Sequence, residues 1–187
     1  LEGLTIEALG KKWGKDPLDA FFDLAVKENL HTHFTGKFFN HIDEGVAPQL
    51  KHPTAVVTLS DAGAHLIYMC DAAFGLHFLS HWVRKTGHFS LQEGIRRLTS
   101  EAADRFKIPD RGRLLVGSPA DMLLFDPATV GMSKVATLND LPGGGSRKVR
   151  SGLGIHGVWV NGFLVHDGKD YVELEEGPGH VLDRFDH

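Results

Sequence analysis

The chain has 187 residues, a formal net charge of −4 and a hydrophobic fraction of 42%. This length suits one ordinary domain, or one small domain with part of another. The 20 lysines and arginines are scattered rather than clustered, so we expect no nucleic-acid partner and no membrane partner. No apolar stretch approaches the roughly 20 residues that a membrane helix needs.

The single cysteine, Cys70, allows no intrachain disulfide, which fits a reducing cytoplasm. Residues 1–4 lack the basic and long apolar segments of a secretory signal, and the sequence does not begin with methionine. We therefore expect a cytoplasmic protein and a sequence that is a piece of a longer one.

Two helices are predicted near the start of the chain. Thr5 is a suitable N-cap for a helix that ends near Trp13, and Asp16 followed by Pro17 is a helix start. The second helix should end near Asn29. Its buried face is predicted from apolar residues at helical spacing, namely Leu18, Phe21, Phe22, Ala25 and Val26.

Residues Thr54–Leu59 are short, β-branched and almost wholly apolar, which predicts a strand buried on both faces, as in a parallel sheet. Two helices should follow. The first covers Ala72–Arg84. The second begins with the capping box Ser90–Glu93 and runs to about Lys107. The apolar stripe of this second helix is predicted to be Leu91, Ile95, Leu98, Ala102 and Phe106.

The pattern changes after Pro109, where glycines and prolines divide the chain into short runs. These runs predict strands at 122–125, 158–160 and 163–165, with Asn161-Gly162 as a hairpin turn between the last two. Residues Gly143–Ser151 are predicted to form an exposed loop. Mixed strand and helix before Ile108 and strands after it place a domain boundary there, between 1–107 and 108–187.

Asp61 is the leading catalytic candidate. It lies just past the predicted end of a buried parallel strand, which is where barrel enzymes carry catalytic groups. A carboxylate there could take a proton from a metal-bound water and return it to a leaving nitrogen. Ser60-Asp61 before Ala62-Gly63 is also good turn chemistry, so a turn or helix cap is the alternative.

Several of the twelve histidines are candidate metal ligands. His31 and His33 would share one face of a strand, but they follow a helix, so we interpret them as surface residues. His52 and His65 flank the predicted strand at its two ends. A strand of seven residues spans about 23 Å, which is too far for both to bind one metal unless the chain folds back.

His65, four residues after Asp61, could reach the same pocket, or could be a surface histidine of the loop. His77 and His81 lie four apart on a predicted helix and share a face. They lack the glutamate of the His-Glu-x-x-His zinc motif, which favours a structural role on the helix flank.

The order of these motifs resembles the end of an amidohydrolase-superfamily enzyme of the N-acyl-D-amino-acid deacylase, or D-aminoacylase, branch. The resemblance covers nearly the whole chain. It rests on residues 14–20, His52-Pro53, the run Ser60–His65, residues 91–100, 110–114 and 117–127, and Val160-Asn161-Gly162.

The resemblance implies an α/β fold, in which residues 1–107 are the last units of a (β/α)₈ barrel and residues 108–187 are part of a small β-sandwich. It implies that Asp61 activates a metal-bound water for attack on an amide carbonyl and then protonates the departing amine. Ser60, Gly63 and His65 are expected beside the substrate, and the partner is a small-molecule amide. Zinc is the implied cofactor of the full-length enzyme.

Two features depart from the family pattern. The main metal ligands of the family lie on earlier barrel strands, and a barrel needs about 250 residues. The isolated chain is therefore expected to bind no catalytic zinc, with Asp61 as its one candidate ligand, and to be inactive. The family's arginine, which holds the substrate carboxylate shortly after the aspartate, is missing from residues 66–72, which puts a D-amino-acid substrate in doubt.

Two other functions are compatible with the sequence. One is a stand-alone structural domain that forms a homo-oligomer, because a partial barrel leaves strand edges and apolar faces uncovered. The other is an independent metalloprotein that uses His31 and His33.

Overall fold

The computed structural model describes residues 1–37 and 39–183, and the chain divides into two units, Leu1–Asp43 and Glu44–His187. The predicted boundary near Ile108 is a different division, and it stays a prediction. Among the described residues, no helix combines the length and apolarity needed to cross a bilayer.

The first unit is a pair of helices, α1 (Ile6–Trp13) and α2 (Pro17–Lys27). Both predicted caps are confirmed. The Thr5 hydroxyl accepts a hydrogen bond from the Ala8 amide at 3.1 Å, and the Asp16 carboxylate accepts one from the Leu18 amide at 2.8 Å. These bonds satisfy amides of the first turn, which have no partner inside the helix.

The predicted buried face of α2 is wrong for three of its five residues. Leu18, Phe22 and Val26 are 62%, 55% and 69% exposed. Helix α1 packs instead on Ala20 and Leu24, which form a core with Leu9. Two overlapping apolar faces fit the periodicity of α2, and the position of α1 decides which one is buried.

The helices of the second unit are α3 (Asp43–Lys51), which begins at the division, α4 (Phe74–His77), the π-helix Phe78–Lys85, α5 (Leu91–Leu98) and α6 (Ser100–Arg105). Their core contains Ala47, Phe78, Trp82 and Phe89. The helix predicted at 72–84 is thus present at 74–85, and its C-terminal part is π-helical.

The helix predicted from Ser90 to Lys107 is interrupted. The Ser90 hydroxyl caps α5, accepting from the Glu93 amide at 3.2 Å, but Thr99 has φ −126° and ψ −89° and separates α5 from α6. Ile95 and Phe106 of the predicted apolar stripe are exposed, whereas Arg97 and Glu101 are buried. The break at Thr99 changes the face that α6 presents, so one stripe cannot continue through both helices.

No strand forms at Thr54–Leu59 in the described structure, which corrects the predicted parallel strand. Helices α5 and α6 hold this segment through two side-chain hydrogen bonds. Arg105 donates to the Pro53 carbonyl at 2.6 Å, and Arg97 donates to the Ala55 carbonyl at 3.4 Å. A strand exists only beside a neighbour that pairs with its backbone, and no described strand lies alongside this segment.

Antiparallel strands follow Pro109, as predicted. Strands β1 (Met122–Phe125), β6 (Ile155–Val160) and β7 (Phe163–His166) form a sheet in the order β1-β6-β7. Asn161 and Gly162 have φ values of 48° and 83°, as the predicted tight hairpin turn requires. Strands β2 (Gly131–Met132) and β5 (Gly152–Leu153) form a second, small sheet.

The third sheet corrects another prediction. Strands β3 (Ala136–Leu141) and β4 (Gly145–Val149) pair across the turn Pro142–Gly144, so most of the predicted loop 143–151 is strand. Arg147 on β4 grips Asp140 on β3 with two hydrogen bonds of 2.8 and 2.7 Å. The glycines of the turn favour a loop in a prediction from local sequence, so the strand that follows them was not predicted. The fold is therefore mixed α and β, while the barrel and the sandwich remain predictions.

Candidate functional site

The segment that carries Asp61 is a series of turns from Ser60 to Met69. The Ser60 hydroxyl accepts a hydrogen bond from the Ala62 amide at 3.2 Å, and the Asp61 carbonyl accepts one from the Ala64 amide at 3.0 Å. Gly63 has φ 89°, a conformation that glycine adopts readily and other residues avoid. The side-chain cap of this turn is thus Ser60, and not the Asp61 carboxylate that the alternative interpretation required.

Asp61 is exposed. Within the part of the chain that the structure describes, no donor lies at hydrogen-bond distance from its carboxylate. A carboxylate without a structural partner is available to accept a proton from a reactant. This agrees with the predicted role of Asp61 and does not test it.

His65 lies at the far side of the turn, with φ 51°. Its carbonyl accepts hydrogen bonds from the Tyr68 amide at 2.8 Å and the Met69 amide at 3.2 Å, and its ring lies 6.1 Å from the Tyr68 ring. Ser60, Asp61, Gly63 and His65 therefore share one short exposed loop, which we call the Asp61 loop (residues 60–69). Tyr68, which the sequence did not single out, belongs to the same loop.

Strand β4 is attached to the Asp61 loop. The Lys148 amide donates a 2.7 Å hydrogen bond to the Leu66 carbonyl, on the edge of β4 that does not pair with β3. Cys70 follows the loop and is half-buried. The pKa of Arg147 lies above its usual value, mainly because of the hydrogen bond to Asp140, with a smaller electrostatic contribution from Cys70. Sequence reasoning missed this attachment, because residues 143–151 did not predict a strand.

The residues present do not fit a catalytic metal. Within residues 1–37 and 39–183, no group of three or more histidine, cysteine, aspartate or glutamate side chains is arranged to hold an ion. His31 and His33 lie in an exposed segment outside any helix or strand. The His52 ring makes a 2.8 Å hydrogen bond with the Thr54 hydroxyl, which fits a role in the local turn.

His77 and His81 share a helix face, as predicted from their spacing. Their rings are stacked, with centroids 5.0 Å apart and an angle of 10° between the planes. They line a cleft together with Ser80, Arg84 and Lys85.

An apolar hollow lies next to the segment that leads to Asp61. Its volume is about 370 Å³, and its lining includes Val57, Thr58, Phe74, Leu98 and Phe106. Phe106 is more than half exposed there. This hollow contains no titratable group, so it offers shape and apolar surface but no chemistry.

The sequence of this chain is similar to those of known deacylases. The chain is 39% identical over 100 residues to the N-acyl-D-aspartate deacylase of Alcaligenes xylosoxydans xylosoxydans, a match that covers 54% of this chain and 18% of that protein. It is 37% identical over 99 residues to the D-aminoacylase of the same organism, covering 53% of this chain and 19% of the relative. The chain is thus similar in sequence to two deacylases over about half of its length.

The chain is also similar to an uncharacterised protein of Mycobacterium tuberculosis. The two are 33% identical over 132 residues, which cover 68% of this chain and 21% of that protein. The chain thus spans about a fifth of the length of the curated relatives that it matches. No family model matches it.

One solved structure is similar, that of a D-aminoacylase described as defining a novel subset of amidohydrolases. The TM-score is 0.42 at 29% sequence identity, with coverage of 59% of this chain and 21% of that chain. This TM-score is too low to assign a fold. The relationship to a family of hydrolases therefore rests on sequence.

Proposed function

We propose that this chain is the C-terminal part of a metal-dependent amidohydrolase that hydrolyses the C–N bond of an N-acylated amino acid or a related amide. The supporting observation is the 37–39% identity to two deacylases over about half of the chain. These activities are those of the relatives. For this chain they support amide hydrolysis as the proposed reaction class and a small N-acyl compound as the proposed substrate class.

In this proposal Asp61 moves a proton twice. It accepts a proton from the water whose oxygen attacks the amide carbonyl, and it then donates that proton to the nitrogen as the C–N bond breaks. The products are a carboxylic acid and an amine, so atoms and charges balance. The exposed Asp61 carboxylate can approach a substrate, and Ser60 and Gly63 hold the turn that carries it.

Zinc enters the proposal only as a cofactor of the whole protein, where it would polarise the amide carbonyl. The described residues contain no group of three or more histidine, cysteine, aspartate or glutamate side chains that could hold it. We propose that its main ligands belong to a longer protein and that the isolated chain is inactive. A cytoplasmic location is part of the same proposal, with the lone Cys70 as its only support.

The Asp61 loop lacks the usual partner of a substrate carboxylate. Residues 66–72 contain no arginine, and an arginine is the natural two-pronged partner of a carboxylate. We therefore propose that the substrate is an N-acyl compound whose carboxylate, where it has one, is not held by this loop.

The test uses the full-length protein and two substrates, an N-acyl-D-amino acid and the matching N-acyl amine without a carboxylate. We expect Asp61→Asn to lower kcat/KM about 10²- to 10⁴-fold on whichever amide is cleaved, because a positioned acid–base group contributes about that much. Asp71→Asn, an equally exposed carboxylate ten residues later, is the matched control and should retain the activity.

Full activity in Asp61→Asn would remove Asp61 from the mechanism and leave the family relationship intact. Hydrolysis of neither amide by the full-length protein would contradict the proposed reaction itself. Equal rates on the two substrates would show that no carboxylate is recognised, in agreement with the missing arginine.

A further inference from the structure

A basic cleft lies on the second unit, between the π-helix and the β2–β5 sheet. Its volume is about 560 Å³. We define the basic cleft by six of its lining residues, His77, Ser80, His81, Arg84, Lys85 and Gly131. Thr129, Met132 and Leu153 complete the lining. The proposed deacylase function uses none of these residues.

Arg84 is held in a fixed position in the cleft. Its Nη1 donates hydrogen bonds to the Val130 carbonyl at 2.5 Å and the Pro127 carbonyl at 3.2 Å. The other terminal nitrogen, Nη2, lies 3.8 Å from the place where a Cβ on residue 131 would stand. The guanidinium is therefore oriented before any ligand arrives, which lowers the entropy that binding would cost.

Gly131 has no side chain to fill the space between Ser80 and Arg84. A Cβ at this position would lie 3.5 Å from the Ser80 Cβ and 3.8 Å from the Ser80 hydroxyl oxygen, which is ordinary van der Waals contact. The backbone would thus tolerate alanine, but the methyl group would occupy the space between the Ser80 hydroxyl and the Arg84 Nη2.

The Ser80 hydroxyl donates a 3.3 Å hydrogen bond to the His77 carbonyl, and the cleft also contains imidazole and ammonium nitrogens. The stacked rings of His77 and His81 are on the same helix face as Ser80, and Lys85 follows at the edge of the cleft. Among the described residues that line the cleft there is no aspartate or glutamate. Asp126 accepts a 2.8 Å hydrogen bond from the hydroxyl of Thr129, which lines the cleft. The pKa of Asp126 is lowered mainly by the Ala128 amide and the Thr129 hydroxyl, with a smaller electrostatic contribution from Arg84, so this carboxylate offsets part of the Arg84 charge. The remaining positive charge of Arg84 and Lys85 opposes a metal cation and attracts an anion.

Apolar side chains complete the cleft at Met132 and Leu153. Leu153 is 47% exposed. An anionic head beside Arg84 and an apolar tail over Met132 and Leu153 would together match the lining. Arginine and lysine both bind phosphate through charge-assisted hydrogen bonds, and a phosphate group offers more acceptor oxygens than a carboxylate.

We propose that the basic cleft binds a phosphate group, carried by a small organic ester or present as free phosphate. The inference is independent of the deacylase activity, because it depends on a different part of the second unit. Its test is isothermal titration of the chain with inorganic phosphate and, in parallel, with phenyl phosphate.

We expect saturable phosphate binding, with the dissociation constant raised about tenfold by Lys85→Gln, since one charge-assisted hydrogen bond is worth about 1.5 kcal/mol or more. Gly131→Ala should weaken binding by a similar factor through occupied space, without removing a charge. His88→Gln is the matched control. His88, like His81, packs against the Trp82 ring, but it does not line the cleft. This variant should bind like the unmodified chain.

Tighter binding of phenyl phosphate than of inorganic phosphate would identify an organic ester as the ligand class, and equal binding would identify free phosphate. Either result supports the site if Lys85→Gln and Gly131→Ala both weaken it. Absence of phosphate binding, or binding that is equal in all variants, would overturn the proposal. Binding of Zn²⁺ that His77→Gln abolishes, without phosphate binding, would also overturn it.

Discussion

Arg97 is only 6% exposed, although it carries a permanent charge. Its guanidinium lies 2.9 Å from the Glu93 carboxylate and 3.8 Å from that of Glu101, and it stacks over the Phe89 ring at 5.2 Å. A buried charge is tolerated when several partners share it, and removal of one partner leaves the others uncompensated. At residue scale, the sequence showed an amphipathic helix but gave no sign that an arginine would be buried.

Glu93 gives this network a pH dependence. The hydrogen bond from Arg96 is the main reason that the pKa of Glu93 falls from its usual 4.5 to about 2, with a further contribution from Arg97. Because the folded pKa is the lower one, the charged form stabilises the fold above about pH 4.5. This stabilisation disappears as the pH falls toward 2.

We therefore predict that Glu93→Gln destabilises the chain at pH 7 by about 1 kcal/mol, after allowance for the partial exposure of this side chain. The difference from the unmodified chain should shrink between pH 4.5 and pH 2. Urea unfolding across this range measures it, with the exposed Glu176→Gln as control. A difference that does not change with pH would contradict the assigned cause.

At the scale of single elements, local sequence signals were reliable where a cap or turn is made by neighbouring residues. Thr5, Asp16 and Ser90 each accept the expected hydrogen bond from an amide of the first turn, and Asn161-Gly162 forms the expected hairpin. Each signal connects residues at most three apart, so the rest of the chain has little influence on it.

The N-cap of α5 allows a test with two substitutions. We predict that Ser90→Ala lowers the free energy of unfolding by about 1 kcal/mol and that Ser90→Gly lowers it by only a few tenths, because glycine allows water to reach the open amide. Urea denaturation of both variants at one pH gives the comparison. No loss in either variant would show that the hydroxyl does not stabilise the helix.

Long-range elements were predicted less well, for reasons that particular residues show. The segment 54–59 has strand composition, yet it lies against Arg97 and Arg105 without a pairing strand. Residues 145–149 have turn residues before them, yet they pair with β3. In both cases the outcome depends on whether a neighbouring backbone is present, which local sequence does not specify.

At the scale of the whole molecule, the chain exposes many large apolar side chains. Leu18, Phe22 and Val26 form an exposed apolar face on α2, and Leu59, Leu114 and Val116 are exposed in the second unit. Contiguous apolar surface of this kind promotes association in water. This favours the structural alternative, a chain that oligomerises, or a chain that other parts of a longer protein cover.

We predict that the isolated chain has a mass by light scattering above the 20.5 kDa of one copy. Phe22→Gln should move the mass toward that value, because it removes the largest side chain from the exposed face of α2. Asp19→Gln, at another exposed position of the same helix, should leave the mass unchanged. A clean monomer for the unmodified chain would contradict the prediction.

The caps, the hairpin, the change from helices to strands after Pro109 and the likeness to the deacylases can all be read from the amino-acid sequence. These depend on neighbouring residues or on the order of motifs. Three features are visible only in the folded chain: Ser60 caps the Asp61 turn, β4 holds the Asp61 loop through Leu66, and His77, His81 and Arg84 line one cleft. Those facts depend on which distant backbones and side chains come together, and such contacts are set by packing rather than by local pattern.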